Sequence, residues 1–583
     1  MCLIFIDEEP DDLTLVGTCL TSNLPKLRIH IANSRYKMKD IQGIILAHVL
    51  SDQIQAANGN FSKMHSWLAR LIDRCDRVHG KCDKMRSENL VMNKILDAYK
   101  PMWSLNHAIS LMGWDFETYM PRKGTEERGV ADSQLRMMHK DLLLNKDFVG
   151  LVESAKKLGS LSDLEKGIIR VLNREITKQI KIPKELTEAE SLERIRGNMV
   201  WREAREKSDF MMYAPHLKKM IEIKKQIADK IGYEKHPYDA LLDKFEEDLT
   251  VDDLDKVFGA LTSRIQKILK KLVDSGSPFC KESKLGKSKY DTQRVDELNH
   301  GILTLLLFDM ERFRMDVSTH PFTEAMGLND VRITTRYEGT DFKKSISGTI
   351  HEAGHALYNL QCDQSLSVTP VEGGSSLGLH ESQSRFWENI VGRSLPFVQL
   401  IAPLIRKQVS FANQAPDDEL YLYFNNVKAD CIRVDADEVT YNLHIAIRYE
   451  IEKKIFGDEL SVYEIPEFWN DRMEQLLGVR PTKDSQGVLQ DTHWSSGLFG
   501  YFPTYTLGNL VSAIIASKMR KDLEGYEEDI KRGNFKPIRE WLRLKIHQHG
   551  SVYAPKVLLN NTLNEGYNPD YFVTYIETKY LGS

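Results

Sequence analysis

The sequence predicts a mainly α-helical protein, on two observations. Apolar residues recur at intervals of three and four along charged segments, the period of a helix with one buried face. "DLEKGIIRVLNREITKQI" from Asp163 and "VTYNLHIAIRYEIEKKIF" from Val439 show it most clearly. Strand-like text is scarce. The best candidate is "VRITTRYEG", Val331 to Gly339, rich in β-branched residues and closed by glycine.

In chain order, the first ninety or so residues are weakly patterned, with one helical stretch near "DIQGIILAHVLSDQIQ". A stronger pattern begins at Met92 with "MNKILDAYKPMW". Residues 1–88 are therefore read as an N-terminal extension, either a small helical unit or a poorly ordered lead. Residues 89–583 form the helical domain. A true start at Met85 or Met92 is a further expectation. Cys75, His79 and Cys82 lie close together, but without a second Cys/His cluster they predict a surface helix rather than a metal site. Further on, "SRIQKILKKLVD" from Ser263 places Ile265, Ile268, Leu269, Leu272 and Val273 on one helix face, with its lysines on the wet side.

Bulk properties narrow the function. The 583 residues are 42% hydrophobic and 28% charged, with 79 Lys+Arg against 84 Asp+Glu and a formal net charge of -5. This balance gives no basic stripe for nucleic acid. No apolar run reaches the length of a membrane span. The seven cysteines show no disulfide-scaffold spacing. The opening "MCLIFIDEEPDD" is too short in its apolar part for a signal sequence and lacks a basic n-region, so the expected compartment is the cytoplasm.

Chemistry first surfaces in "SISGTIHEAGHALYNLQ", Ser345 to Gln361. Ile346, Ile350, Ala353, Leu357 and Leu360 define a buried helix face. His351 and His355 share the neighbouring face one turn apart, so both imidazoles reach one divalent ion. Glu352 is rotated by about 100° and sits beside such an ion, where a base for water belongs. Gly348 and Gly354 weaken a helix, and close approach of another backbone would explain both.

A third ligand is expected in "GGSSLGLHESQSRFWENIVGRSLPF". Ser375 or Ser376 starts a helix, and Phe386 and Ile390 mark its apolar face. Glu381, in its first turn, completes a His₂Glu set with one open position. It also reads as an acid favoured near a helix N-terminus, and His380 is a rival ligand.

Arg433, in "CIRVDADEVTYNLH", and Arg332, in "DVRITTRY", are charges in apolar settings. Each suits a free peptide carboxylate, but reads first as one half of an internal ion pair, for example with Asp435, Asp437 or Asp330. In "GVLQDTHWSSGLFGYFPTYTLGN" from Gly487, His493, Tyr501 and Tyr505 can face an oxyanion, or pack beneath a glycine-rich loop.

Together these segments resemble the carboxypeptidase Taq family of metallocarboxypeptidases. The resemblance runs from "GWDFETYMP" at Gly113 through "HPF" at His320, "DVRITTRY", "HEAGH", "HESQSRFWEN" and "IRVDAD" to "GVLQDTHW". It implies that His351, His355 and Glu381 hold zinc, with cobalt the alternative, and that Glu352 is general base and acid. It implies that Arg433 lies where the substrate carboxylate is received, and that His493 with Tyr501 or Tyr505 steadies the oxyanion. It further implies a helical fold like that of neurolysin and angiotensin-converting enzymes, with a deep groove and a small β-sheet. A homodimer is implied too, removing C-terminal residues broadly but disfavouring proline. An endo-acting oligopeptidase on the same scaffold and an inactive peptide-binding module are the rival readings.

Overall fold

The computed structural model describes residues 87–582, together with backbone strands at residues 2–9, 12–19 and 27–31. The chain divides into two units, Met1–Arg86 and Ser87–Ser583. In the first, β1 (Cys2–Glu9) pairs antiparallel with β2 (Asp12–Cys19), which pairs antiparallel with β3 (Leu27–Ile31). The sequence reading placed no strand here, because the short apolar runs of "CLIFI" and "LTLVGT" were too brief to show a period. The expected helix near "DIQGIILAHVLSDQIQ" and the Cys75–His79–Cys82 group fall outside the described residues.

The second unit is mainly helical, as predicted. Its helices begin where side chains can satisfy free backbone N–H groups. Asn89 caps Leu90–Thr118, and capping boxes pair Ser162 with Glu165 and Thr250 with Asp253. The patterned segments become helices Asp163–Lys181 and Tyr441–Phe456. In Val251–Asp274 the expected face is buried except at Val273, which is 59% exposed on the edge of the stripe, next to the helix end.

A three-stranded sheet stands beside the motif helix. Its order is β4 (Phe313–Val317), β6 (Asp330–Thr335), β5 (Thr323–Gly327), with β6 parallel to β4 and antiparallel to β5. The predicted strand is β6, ending at Thr335 rather than Gly339. Val331 and Ile333 are buried in the same apolar cluster as the motif helix, Phe342–Leu360.

All five apolar positions predicted for that helix are buried. The next helix, Leu377–Arg385, is held between the motif helix and Pro503–Asp522. Glycines permit both approaches. A Cβ at Gly354 would lie 2.6 Å from the Gln383 carbonyl oxygen, and one at Gly508 would lie 2.5 Å from Glu381 Cγ. The close-approach reading therefore holds for Gly354. It fails for Gly348, where a Cβ would meet only Pro321 at an ordinary 3.8 Å. Pro503–Asp522 joins the two largest apolar clusters, giving Leu507 and Leu510 to one and Val511, Ile514 and Ile515 to the other.

Candidate metal centre and active site

Ser376 caps Leu377–Arg385 by accepting from the Leu379 N–H, which sets the rotation of the helix that carries Glu381. Glu381 is its fifth residue, one turn deeper than the sequence suggested, so its place owes little to the helix dipole. Its Oε2 lies 3.7 Å from His351 Nε2 and 3.6 Å from His355 Nε2. One donor atom from each of the three lies within 4.8 Å of the others. Ligand bonds of about 2.0–2.1 Å in a tetrahedron place donors about 3.3 Å apart, so the set fits a zinc-like ion after a small contraction.

Neighbouring groups orient two of the three candidate ligands. The second Glu381 oxygen, Oε1, accepts from Arg385 Nε at 2.6 Å, leaving Oε2 to face the histidines. His351 Nδ1 meets Glu388 Oε2 at 2.9 Å, which fixes the ring and turns Nε2 toward Glu381. Burial opposes charge on Glu388, but Arg393 and Arg385 hold its carboxyl well below the usual range. Glu388 lies in the π-helical turn Phe386–Val391. Sequence reasoning passed over it: seven residues after Glu381, it shares that face only because the helix continues through the turn. His380, the rival ligand, rests on Tyr358 with ring centroids 4.7 Å apart, and burial pulls its pKa down to about 4.

Glu352 is 7% exposed and accepts from Thr323 Oγ1 on β5 at 2.6 Å. Burial raises its pKa above the usual carboxylate value. A proton is thus held more readily here than in water, as acid–base work requires.

The predicted loop residues converge on one another. His493 Nε2 lies 3.2 Å from the Tyr505 hydroxyl, and the Tyr501 ring stands 5.3 Å from the imidazole. Burial holds His493 down at about 3, so the ring is neutral, and its Nδ1 has no partner. Burial also pushes Tyr501 up to about 12 and Tyr505 well above its ordinary value, leaving both as phenol donors.

Arg433 is buried in an ion pair, but not with the partners weighed from sequence. Its Nε donates to Asp491 at 2.9 Å and its Nη1 to the Tyr441 hydroxyl at 3.0 Å. Asp435 instead pairs with Lys344, and Asp437 caps Val439 and Thr440. Arg448, fully buried, donates to the other Asp491 oxygen at 2.7 Å. Two guanidiniums share one carboxylate, so one buried positive charge stays unmatched. The Arg385 guanidinium lies 4.5 Å over the Tyr441 ring, which links this cluster to Glu381. Arg332 is held by Asp330 at 2.7 Å, the ion pair that the sequence offered as its alternative role.

The chain is similar to known proteins over most of its length. The family model for the carboxypeptidase Taq (M32) metallopeptidases matches residues 94–580. Thermostable carboxypeptidase 1 of Pyrococcus furiosus is 45% identical over 495 residues, covering 85% of this chain and 99% of its own. Carboxypeptidase 1 of Bacillus subtilis is 36% identical over 499 residues, with 84% and 97% covered. A solved structure of Pyrococcus furiosus carboxypeptidase, in an apo-Mg form, superposes with a TM-score of 0.84 at 45% identity, covering 85% of this chain and 99% of that one.

Proposed function

The chain belongs to the carboxypeptidase Taq (M32) family and is a metallocarboxypeptidase; from that premise we propose which residues carry the reaction. His351, His355 and Glu381 hold a divalent ion, and the convergence of their three donors is the observation that carries the reading. Zinc suits two imidazoles and a carboxylate with an open position; cobalt is the alternative. A bound ion supplies Lewis acidity to water and to the scissile carbonyl.

Glu352 takes a proton from the attacking water and returns it to the leaving amine. The Thr323 hydroxyl holds its carboxylate in place. Tyr505 or Tyr501, with His493, donates toward the developing oxyanion. Arg433 receives the terminal carboxylate, which supplies the anion that its shared partner Asp491 leaves wanting. Arg332, a charge on the strand beside the motif helix and paired with Asp330, is proposed as a second substrate contact.

Substrates are peptides with a free C-terminus, taken broadly with proline disfavoured. Residues 1–88 are an extension of a catalytic unit spanning 89–583. We also propose a cytoplasmic homodimer. No described helix is long and apolar enough to cross a membrane, and Cys280, Cys362 and Cys431 are free thiols, which suits a reducing compartment.

The test is mass spectrometry of a peptide and its C-terminally amidated twin, each incubated with metal-loaded and chelator-treated protein. Stepwise loss from the free C-terminus alone, abolished by the chelator, is expected. Internal cuts in both peptides would replace the exopeptidase assignment with an endo-acting one.

A further inference from the structure

Lys244, Phe245 and Glu246 tie two sides of the site together. The Phe245 carbonyl accepts from the Leu377 N–H at 3.3 Å, and buried Glu246 accepts from Ser376 Oγ at 2.9 Å and the Gly378 N–H at 3.0 Å. These bonds hold the start of the helix that bears Glu381. On the other side, the Phe245 ring meets Tyr501 edge-on at 5.2 Å. The Lys244 ammonium lies 5.2 Å over the Phe245 ring.

The charges here do not cancel. Lys224, buried beside Gly497, is matched by Glu190. Lys178 is matched by Asp243, which also takes Arg174. Lys244 and Arg194 are both exposed, and among the described residues neither forms an ion pair. Burial pulls Lys244 below the ordinary lysine value, with Lys224, Lys178 and Arg194 pushing the same way and Glu190 opposing them.

We propose that Lys244 forms a cationic subsite that receives an acidic side chain of the peptide, upstream of the scissile bond. The proposal rests on the assignment of Tyr501 to the substrate side of the site. Upstream is the consistent direction, because Arg433 takes the terminal carboxylate. Lys244 stands over the Phe245 ring, and that ring in turn meets Tyr501. Acidic peptides gain a partner there, and basic ones meet repulsion.

The test uses peptides that share one C-terminal residue and carry Glu, Gln or Lys at each of the four preceding positions. Their kcat/KM values are measured with zinc-loaded wild type, Lys244→Arg, Lys244→Gln and Lys244→Glu. At one position the wild type is expected to favour Glu over Gln by about fivefold, less so at raised salt. Lys244→Arg keeps the preference, Lys244→Gln loses it, and Lys244→Glu turns it toward Lys. A merely structural lesion would lower all three peptides together and leave the ratio intact, which overturns the proposal. So does a Glu preference that survives Lys244→Gln, or none in the wild type. If Gln peptides are cut without preference, the subsite alone fails. If the wild type cuts no peptide, the catalytic reading fails and the subsite falls with it.

Discussion

Glu388 holds His351 Nδ1, so under the proposed ligand set its loss acts on metal binding before it acts on the reaction. Glu388→Gln is expected to weaken zinc binding about 10- to 100-fold, read by competition with a chromophoric chelator. Glu352→Gln should do the reverse, keeping the ion and losing turnover, because it removes the proton acceptor and no ligand. Wild-type turnover in that variant would refute the assigned base. A third carboxylate answers to pH. Glu452 is fully buried, accepts from Trp494 Nε1 at 2.7 Å and the Gly500 N–H at 2.8 Å, and burial pushes its pKa up to about 7. A folded value above the unfolded one gives stability that is full below the unfolded pKa, about 4.5, and lost as pH rises through about 7. Relative to Glu452→Gln, the wild type should therefore lose about 3 kcal/mol between pH 4.5 and 8, read from urea midpoints. His351, His355 and Glu352 were legible because one helix carries them at fixed spacing. Glu388, and Asp491 as the partner of Arg433, were not, because each pairing depends on where the chain returns in space.

Between elements, two glycines set how closely three helices pass. At Gly354 a methyl group would meet the Gln383 carbonyl and Ser384 Cα, backbone that cannot rotate aside. Gly354→Ala should cost about 1–3 kcal/mol and displace Glu381 from the histidines, so thermal stability and zinc affinity fall together. Gly348 supplies the contrast. It is half-buried with only Pro321 at van der Waals distance, and Gly348→Ala should gain up to about 1 kcal/mol from helix propensity. Equal thermal shifts in the two variants would contradict the packing argument. At this scale the sequence was readable wherever period and caps act locally, as in Asp163–Lys181 or at Ser376. It was mute where an element is too short for a period. β4 and β5 span five residues each and owe their pairing to β6, so no window of sequence marks them.

Across the molecule, site and core both belong to the second unit. The apolar clusters run from Met92 to Tyr580, and every residue assigned to the reaction lies between Thr323 and Tyr505. The Pyrococcus furiosus relative is covered over 99% of its own length while matching 85% of this chain. A chain beginning at Ser87 should therefore fold and retain metal-dependent carboxypeptidase activity within about twofold of the full chain. The cut matters to the residue. Asn93 accepts from the Ser87 N–H at 2.9 Å and donates to its carbonyl at 2.8 Å, and Asn89 caps the first helix. A chain beginning at Met92 loses that cap and both bonds, and should unfold earlier by about 1 kcal/mol than one beginning at Met85. Thermal melts and kcat/KM of the four chains measure this directly. Loss of activity on removing residues 1–86 would mean that the extension is part of the working enzyme. Activity that survives in all three shorter chains, with the melt lower only for the Met92 chain, would place the limit of the catalytic unit at the Asn89 cap.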